Sequence, residues 1–339
     1  MNTRFPVRPL FRAAAVAIGL ALQAPRTVQA QLTWSPRLQL DNDLYNFWKY
    51  YTKRPDEQYT NGVQATLESY DAPWWGARFA SRTPNCRGLT TTKSACRATA
   101  LTLGQDMYTP NKRHLPFANA DWERERPYFA WTYVGATARL LSARRQRTYK
   151  VSLGVTGAPA GGRVAQTVVH ALTNSDAVSG WETQIGFEPG VQVEHRQSVL
   201  LAQQGGNRRL GMSVQPAMAL IAGNIRTAAE LGGTMRLGWN LSHPWDPRVM
   251  RDRAPVEYWL SVGGRGNLIA RDMSLDGTLF NRTRHVQRTP VVLQYEFGGG
   301  VRVHQFVLEY RATTRSREYH TGPRAHSHSS IIAAVSVLP

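Results

Sequence analysis

Almost everywhere in this chain apolar residues alternate with polar ones, and that period of two belongs to strands with one face apolar and the other polar. Tyr149, Val151, Leu153 and Val155 alternate with Lys150, Ser152, Gly154 and Thr156. Val256, Tyr258, Leu260 and Val262 alternate in the same way with Glu257, Trp259, Ser261 and Gly263, and Val191 and Val193 with Gln192 and Glu194. Twelve such segments can be read, starting near Arg37, Gly62, Ala98, Pro127, Thr148, Pro189, Arg209, Ile225, Pro255, Val286, Val301 and Ser329. An even number of spaced strands suits a closed single-chain barrel, which leaves no sheet edge unpaired. The pattern gives way only between Gly162 and Asp176, where it becomes helical. There Val164, Val168, Ala171 and Leu172 share one side, while Gln166 and His170, four apart, stack one turn above the other on another side. A lone polar helix in an all-β chain, presenting an amide and an imidazole together, marks that pair as a candidate for chemistry. The expected fold is therefore all-β, a twelve-stranded antiparallel transmembrane β-barrel with a short helix in a surface loop.

The first thirty residues read as a signal peptide. Arg4, Arg8 and Arg12 form a positive region, Ala13 to Leu22 a short apolar run, and Val28-Gln29-Ala30 a small-residue cleavage site. That run is too short for a spanning helix, which needs about 20 apolar residues. The mature chain then starts at Gln31 and forms one barrel domain over residues 31–339. No later stretch is long and apolar enough for a membrane helix, but barrel strands span with alternating segments whose hydropathy signal is weak. The formal charge is +18, and removing the leader's four arginines leaves +14. Such an excess calls for polyanionic surroundings. For an exported chain that surface is the phosphorylated outer leaflet of a Gram-negative outer membrane rather than nucleic acid.

Trp48, Trp74, Trp75, Trp122, Trp131, Trp181 and Trp245 fall near segment ends or in connections, where interfacial girdles place amphipathic rings. Cys86 and Cys96 flank a short polar segment and in an oxidising compartment can clip it as a disulfide; two ligands alone do not make a zinc site. Asn42 and Asp43 close the first strand. A carboxylate beside an amide suits a hard cation such as Ca²⁺, although Asn-Asp is also ordinary turn chemistry. Tyr59-Thr60-Asn61-Gly62, Gly104-Gln105-Asp106-Met107-Tyr108-Thr109-Pro110 with Lys112, Arg113 and His114, and Glu125-Arg126-Pro127-Tyr128 are further polar clusters at strand ends. With alternate turns they can face one rim.

The ordered set of Asn42-Asp43, Tyr59 to Gly62, Gly104 to Pro110, Arg126-Pro127-Tyr128, Gln166 to His170 and Gly180-Trp181 is similar to the lipid A 3′-O-deacylase family of outer-membrane barrels. The similarity continues through Gly223-Asn224, Arg236-Leu237-Gly238, Ser274-Leu275-Asp276-Gly277 and Arg315 through Glu318, so it covers almost the whole mature chain. The resemblance implies a twelve-stranded barrel, a monomer in the outer membrane, whose site lies near the outer-leaflet rim between the wall and a loop helix. It implies a Ca²⁺-dependent esterase that removes the 3′-linked acyloxyacyl group of lipid A in lipopolysaccharide. Position by position, His170 matches the general base and Gln166 the amide one turn before it. Asn42, Asp43 and Thr60 match site residues of the first two strands, with Asp43 the Ca²⁺ ligand. Lys112 and Arg113 match a basic pair that holds substrate phosphate. Departures are Asp176 in place of a Glu, Glu125 in place of an Asp, and Phe129-Ala130 where Ala-Gly is common; the bulk of Phe129 is expected to narrow the acyl groove.

The implied chemistry is consistent with these parts. A neutral imidazole can take a proton from water as it attacks an ester carbonyl, and Ca²⁺ at Asp43 would stabilise the developing oxyanion. No serine nucleophile is required. His320, His326 and His328 have no matching partners and are expected to be solvated. Two other readings compete. A serine-dependent outer-membrane phospholipase would present a serine shortly after a histidine on a wall strand, and the clearest strand histidine, His304, is followed by Gln305-Phe306-Val307. A non-catalytic barrel, a pore or structural protein, would need no constellation such as Asn42, Asp43, Thr60, Gln166 and His170.

Overall fold

The computed structural model describes residues 34–46, 58–71, 83–86, 94–110, 124–173, 179–205, 209–247, 250, 253–280 and 283–336. The expected signal segment, Trp48, Trp74, Trp75, Trp122, Lys112, Arg113, His114 and Asp176 lie outside these residues.

The alternating segments become strands β1 (Trp34–Asn42), β2 (Gln58–Ser69), β3 (Cys96–Thr109), β4 (Phe129–Leu141), β5 (Arg145–Thr156) and β6 (Pro189–Val199). After these come β7 (Ala202–Gln204), β8 (Leu210–Gly223), β9 (Arg226–Trp239), β10 (Val256–Asp272), β11 (Val291–Val303), β12 (Phe306–Ser316) and β13 (Ala325–Val335). Each pairs antiparallel with its sequence neighbours, except that β6 and β7 do not pair with each other, and β1 closes the sheet on β13 through Leu40 opposite Ile331. On the other side β6 and the three-residue β7 lie one after the other along β8, so together they form one interrupted stave of a twelve-stave barrel. Two expected starts miss. Val286 precedes β11, and Val301 is inside it, because the run Val301 to Phe306 holds a tight turn without glycine or proline. His304, read as a strand residue, makes that turn with φ +53°.

Alternation decides which side each residue faces. Leu103, Val134, Leu153, Val191, Leu231 and Leu260 are exposed on the outer surface, and their strand neighbours point inward. The interior is polar, as a barrel lumen requires. Glu257 pairs with Arg236 and Arg302, Glu230 with Arg196 and Arg226, Glu296 with Arg265, and Glu309 with Arg311. These pairs gather acids and arginines inside the barrel and leave the net positive charge of the chain unchanged. Side chains divide the lumen into polar cavities, two of about 370 and 270 Å³.

The described tryptophans of the expected girdle are buried instead. Trp131 stacks on Tyr133 inside, Trp181 packs beneath a loop helix, and Trp245 joins Leu141 and Leu200. That last cluster encloses the Cys86–Cys96 disulfide, which forms as expected. The exposed rings at that end are Trp239 and Tyr258, paired across β9 and β10.

Candidate active site

The chain leaving β5 passes through a 3-10 turn, Ala158–Ala160, and a left-handed Gly161 before helix α1, Gly162–Thr173. What fixes this segment is the carbonyl of Ala160, which accepts from Gln105 Nε2 at 2.6 Å and from Thr132 Oγ1 at 2.7 Å. Gln105 and Thr132 have the parity of Leu103 and Val134, so they point out of the barrel, one residue pair or about 7 Å higher along the wall. Uncovered polar groups there would face lipid without a partner. Helix α1 is therefore seated on the outside of the barrel. Its approach is close, because a Cβ on Gly162 would meet the Trp181 ring at 2.4 Å and Ala130 Cβ at 2.6 Å. The helix turns its polar side inward: Gln166 and His170 are buried, while Val164, Val168 and Ala171 are exposed. On β6, Pro189 continues the row of Gln105 and Thr132, and exposed Phe187 stands one residue pair above it. The apolar outer surface thus rises as high as the helix.

The buried side of α1 has a defined orientation. Trp181 Nε1, a donor only, donates to Gln166 Oε1 at 2.6 Å, and Trp181 itself is held against Tyr128, whose hydroxyl donates to the Ser179 carbonyl. The Gln166 oxygen being so engaged, its NH₂ faces His170, with Nε2 to Nε2 at 3.4 Å. That amide assigns the acceptor role to His170 Nε2 and the proton to Nδ1.

The strand residues of the expected site are on the same outer face and at the same end. Asn42 is opposite Asn61, Asn61 opposite Met107, and Met107 opposite Ala130, a lateral row across β1 to β4. Met107 and Ala130 are the residues on which Trp181 and Ala165 of α1 pack, and Asn42 is two strands, about 10 Å, from Met107. Asn42 and Asp43 are both buried, and Asp43 begins a 3-10 turn, Asp43–Tyr45, that folds back over β12 and β13. There Asn46 Nδ2 donates to the Ser327 carbonyl, and Tyr310 donates to that of Tyr45. Thr60 occupies a bulge in β2 between Tyr59 and Asn61, and its hydroxyl shares a hydrogen bond with that of the fully buried Thr109. Bulges re-aim side chains, and they concentrate beside active sites. Asn42 and Asp43 offer a Ca²⁺ ion a carboxylate and an amide oxygen, a suitable hard-ligand pair. Among the described residues no group of three or more His, Cys, Asp or Glu is placed to hold a metal, so these two alone do not make a complete cage.

Other motif residues serve the mouth of the barrel. Fully buried Arg126 donates to Glu318 at 3.1 Å, Gln58 at 3.2 Å and Ser274 at 2.9 Å, and lies over the Tyr108 ring. Glu125 accepts from Tyr319, which in turn accepts from Gln58. Three separate sequence clusters thus meet as one plug. Phe129 faces inward against Trp131 and Met273, so it does not line the outer groove as expected; Ala130 does. His326 and His328 are buried rather than solvated, with His326 3.6 Å from Glu318 and His328 against Tyr59. β13 also carries a His-x-Ser pair, His328 and Ser330, a histidine with a serine shortly after it on a wall strand. Both line the lumen, away from the outer surface. Trp181, expected in the interfacial girdle, instead sets the Gln166 amide, and an indole fifteen residues from its partner leaves no local signal of that contact.

A sequence profile described as outer membrane protein LpxR matches residues 10–337. The chain belongs to that family. Among solved structures, LpxR from Salmonella typhimurium superposes with a TM-score of 0.70 at 16% identity, covering 89% of this chain and 99% of that one. The beta domain of the Bordetella autotransporter BrkA gives 0.46 at 9% identity, over 90% of this chain and 100% of that one. The translocator domain of NalP from Neisseria meningitidis gives 0.37 at 11% identity, over 96% of each. No curated protein matches. The LpxR family and its barrel fold place the chain in the outer membrane of a Gram-negative bacterium, with the exposed apolar band facing lipid.

The plug carries a pH prediction. Burial alone would raise the Glu318 carboxyl, but the charges of His326, Arg126 and Arg315 overcome it and hold the group well below the usual carboxylate range. Its contribution is therefore present above the ordinary carboxylate pKa and lost as pH falls below it. Removing the charge leaves Arg126 buried and unpaired, so Glu318→Gln is expected to cost about 3–5 kcal/mol at neutral pH. Urea unfolding in vesicles should show that loss, and a shallower acid dependence in the variant.

Proposed function

We propose that this LpxR-family protein is a lipid A 3′-O-deacylase, hydrolysing the ester of the 3′-linked acyloxyacyl group with water activated by His170. The observation that carries the reading is the seating of α1 on the outer wall, with Gln166 and His170 turned toward it at the height of the apolar surface. A soluble substrate would gain nothing from that position, whereas the ester of an outer-leaflet lipid reaches it without leaving the membrane.

In this reading the neutral imidazole accepts the water proton at Nε2, while the weak 3.4 Å contact from Gln166 keeps the ring aimed. Trp181 holds the Gln166 amide with its NH₂ toward that nitrogen, which orients the ring. The buried Thr60 and Asn42 hydrogen-bond the ester or the attacking water, and Lys112 and Arg113 bind a lipid A phosphate. Asp43, with the Asn42 amide oxygen, would hold Ca²⁺, whose chemistry is charge stabilisation at the ester oxygen. The protein is taken to act as a monomer, as its resemblance to the family implies.

Incubation of purified protein with lipid A, followed by mass spectrometry, is expected to show loss of one acyloxyacyl unit. Formation of lysophospholipid from added phospholipid would favour a serine-type phospholipase, and no product a non-catalytic barrel. His170→Ala should lower kcat by about 10²–10⁴-fold while the folded barrel keeps its altered mobility on gels. Trp181→Phe keeps an aromatic ring but loses the N–H, freeing the amide to rotate. A fall in kcat of about tenfold is expected, as for a catalytic group held off its productive orientation. Chelation by EGTA should silence turnover, and recovery with Ca²⁺ should weaken in Asp43→Ala; an unchanged Ca²⁺ response in that variant would place the ion elsewhere.

A further inference from the structure

Behind the outer-face row, on the lumen side of the same three strands, lies a second arrangement. The Tyr59 hydroxyl is 2.9 Å from Asp41 Oδ2 and 3.0 Å from Asp106 Oδ1, sharing its hydrogen between carboxylates on β1 and β3. Gln39 Nε2 holds the other oxygen of Asp41 at 3.0 Å. The ring is wedged between Tyr108 and His328, at centroid distances of 5.1 and 4.5 Å. The hydroxyl fills the space over Gly62, where a Cβ would come within 2.0 Å of it. Any residue but glycine there would expel the phenol.

Each member directly precedes a residue of the outer face. Asp41 precedes Asn42, Tyr59 precedes Thr60, and Asp106 precedes Met107, the residue on which Trp181 packs. Because successive side chains of a strand point to opposite faces, a tie on the inside sets the height and tilt of what points outward. The bulge makes this matter most at Thr60. It has no opposite Cα partner in the β2–β3 register, so beside its hydroxyl's bond to Thr109 its position depends on how Tyr59 is held. A bulge with its preceding residue untethered can shift along the partner strand.

We propose that Tyr59 is a positioning residue: through Asp41 and Asp106 it clasps β1, β2 and β3 from the lumen and fixes Thr60, Asn42 and Met107 on the opposite side. Its role rests on the proposed reaction, because it assigns Thr60 and Asn42 to the site. Tyr59 touches no substrate, and its loss is felt in the alignment of groups rather than in binding.

Tyr59→Phe keeps the ring and removes only the clasp. Thr66→Val is the control, since Thr66 likewise ties β2 to β3 from the lumen, through Thr102, but its neighbours Ala65 and Leu67 face lipid away from the site. In Tyr59→Phe, kcat on lipid A is expected to fall about tenfold, as for a sub-ångström misplacement of reacting groups. KM should stay within about twofold, since the substrate's own contacts are intact. Amide hydrogen exchange should rise over residues 58–62, while Thr66→Val leaves kcat and the exchange of that segment at wild-type values. Wild-type kcat and exchange in Tyr59→Phe would overturn the assignment. If wild-type protein failed to deacylate lipid A, the proposed reaction would fall, and the exchange comparison would decide the clasp by itself.

Discussion

The two hydrogen bonds to the Ala160 carbonyl, from Gln105 and Thr132, determine where everything else in the site can be. On a membrane-facing wall an amide or hydroxyl pointing outward must be covered by protein, because lipid offers it no partner. Once those bonds pin the turn ahead of α1, Gly161 and Gly162 allow the helix to lie against the wall, and its buried side can only be the one bearing Gln166 and His170. Trp181 then fills the space between helix and wall and orients the amide. The helix is thus part of the outer surface, with valines where neighbouring strands carry leucine and valine.

A barrel wall has two faces, and this chain uses both at one level. The outer face carries the row from Asn42 to Ala130; the inner face carries the Tyr59 clasp and, toward the mouth, the Arg126–Glu318 plug. Rigidity comes from the inside, where buried charges are paired and hydrogen-bonded. A site on loops alone would have no such backing, and the cost is a lumen too crowded with side chains to leave a wide channel among the described residues.

Period and spacing made the strands legible, along with the helix at 162–173 and the Gln166–His170 pair, since each is a local pattern. The tight turn at His304 holds no glycine or proline, and its one mark is a slip in the alternation where two polar residues, His304 and Gln305, follow one another. Facing was harder. Phe129 and Ala130 are adjacent, and only the register of β3 and β4 tells which of them meets α1. Tryptophans near strand ends looked interfacial, yet Trp131 and Trp181 are enclosed by segments distant in sequence. His326 and His328 seemed free because their partners Glu318 and Tyr59 come from other elements. Tyr59 and Asp106 stand in polar clusters at strand ends and Asp41 beside Asn42, but nothing in their spacing joins the three as a set.

The account stands on α1 lying outside the wall at the depth of lipid chains, and one measurement tests that directly. A nitroxide attached at Val168→Cys, in protein reconstituted into bilayers, reports whether its surroundings are apolar or aqueous. The account predicts relaxation enhancement by dissolved oxygen and weak enhancement by a water-soluble nickel chelate, as at a lipid-facing strand position such as Leu103. Strong enhancement by the nickel chelate, equal to that of an aqueous loop, would contradict it.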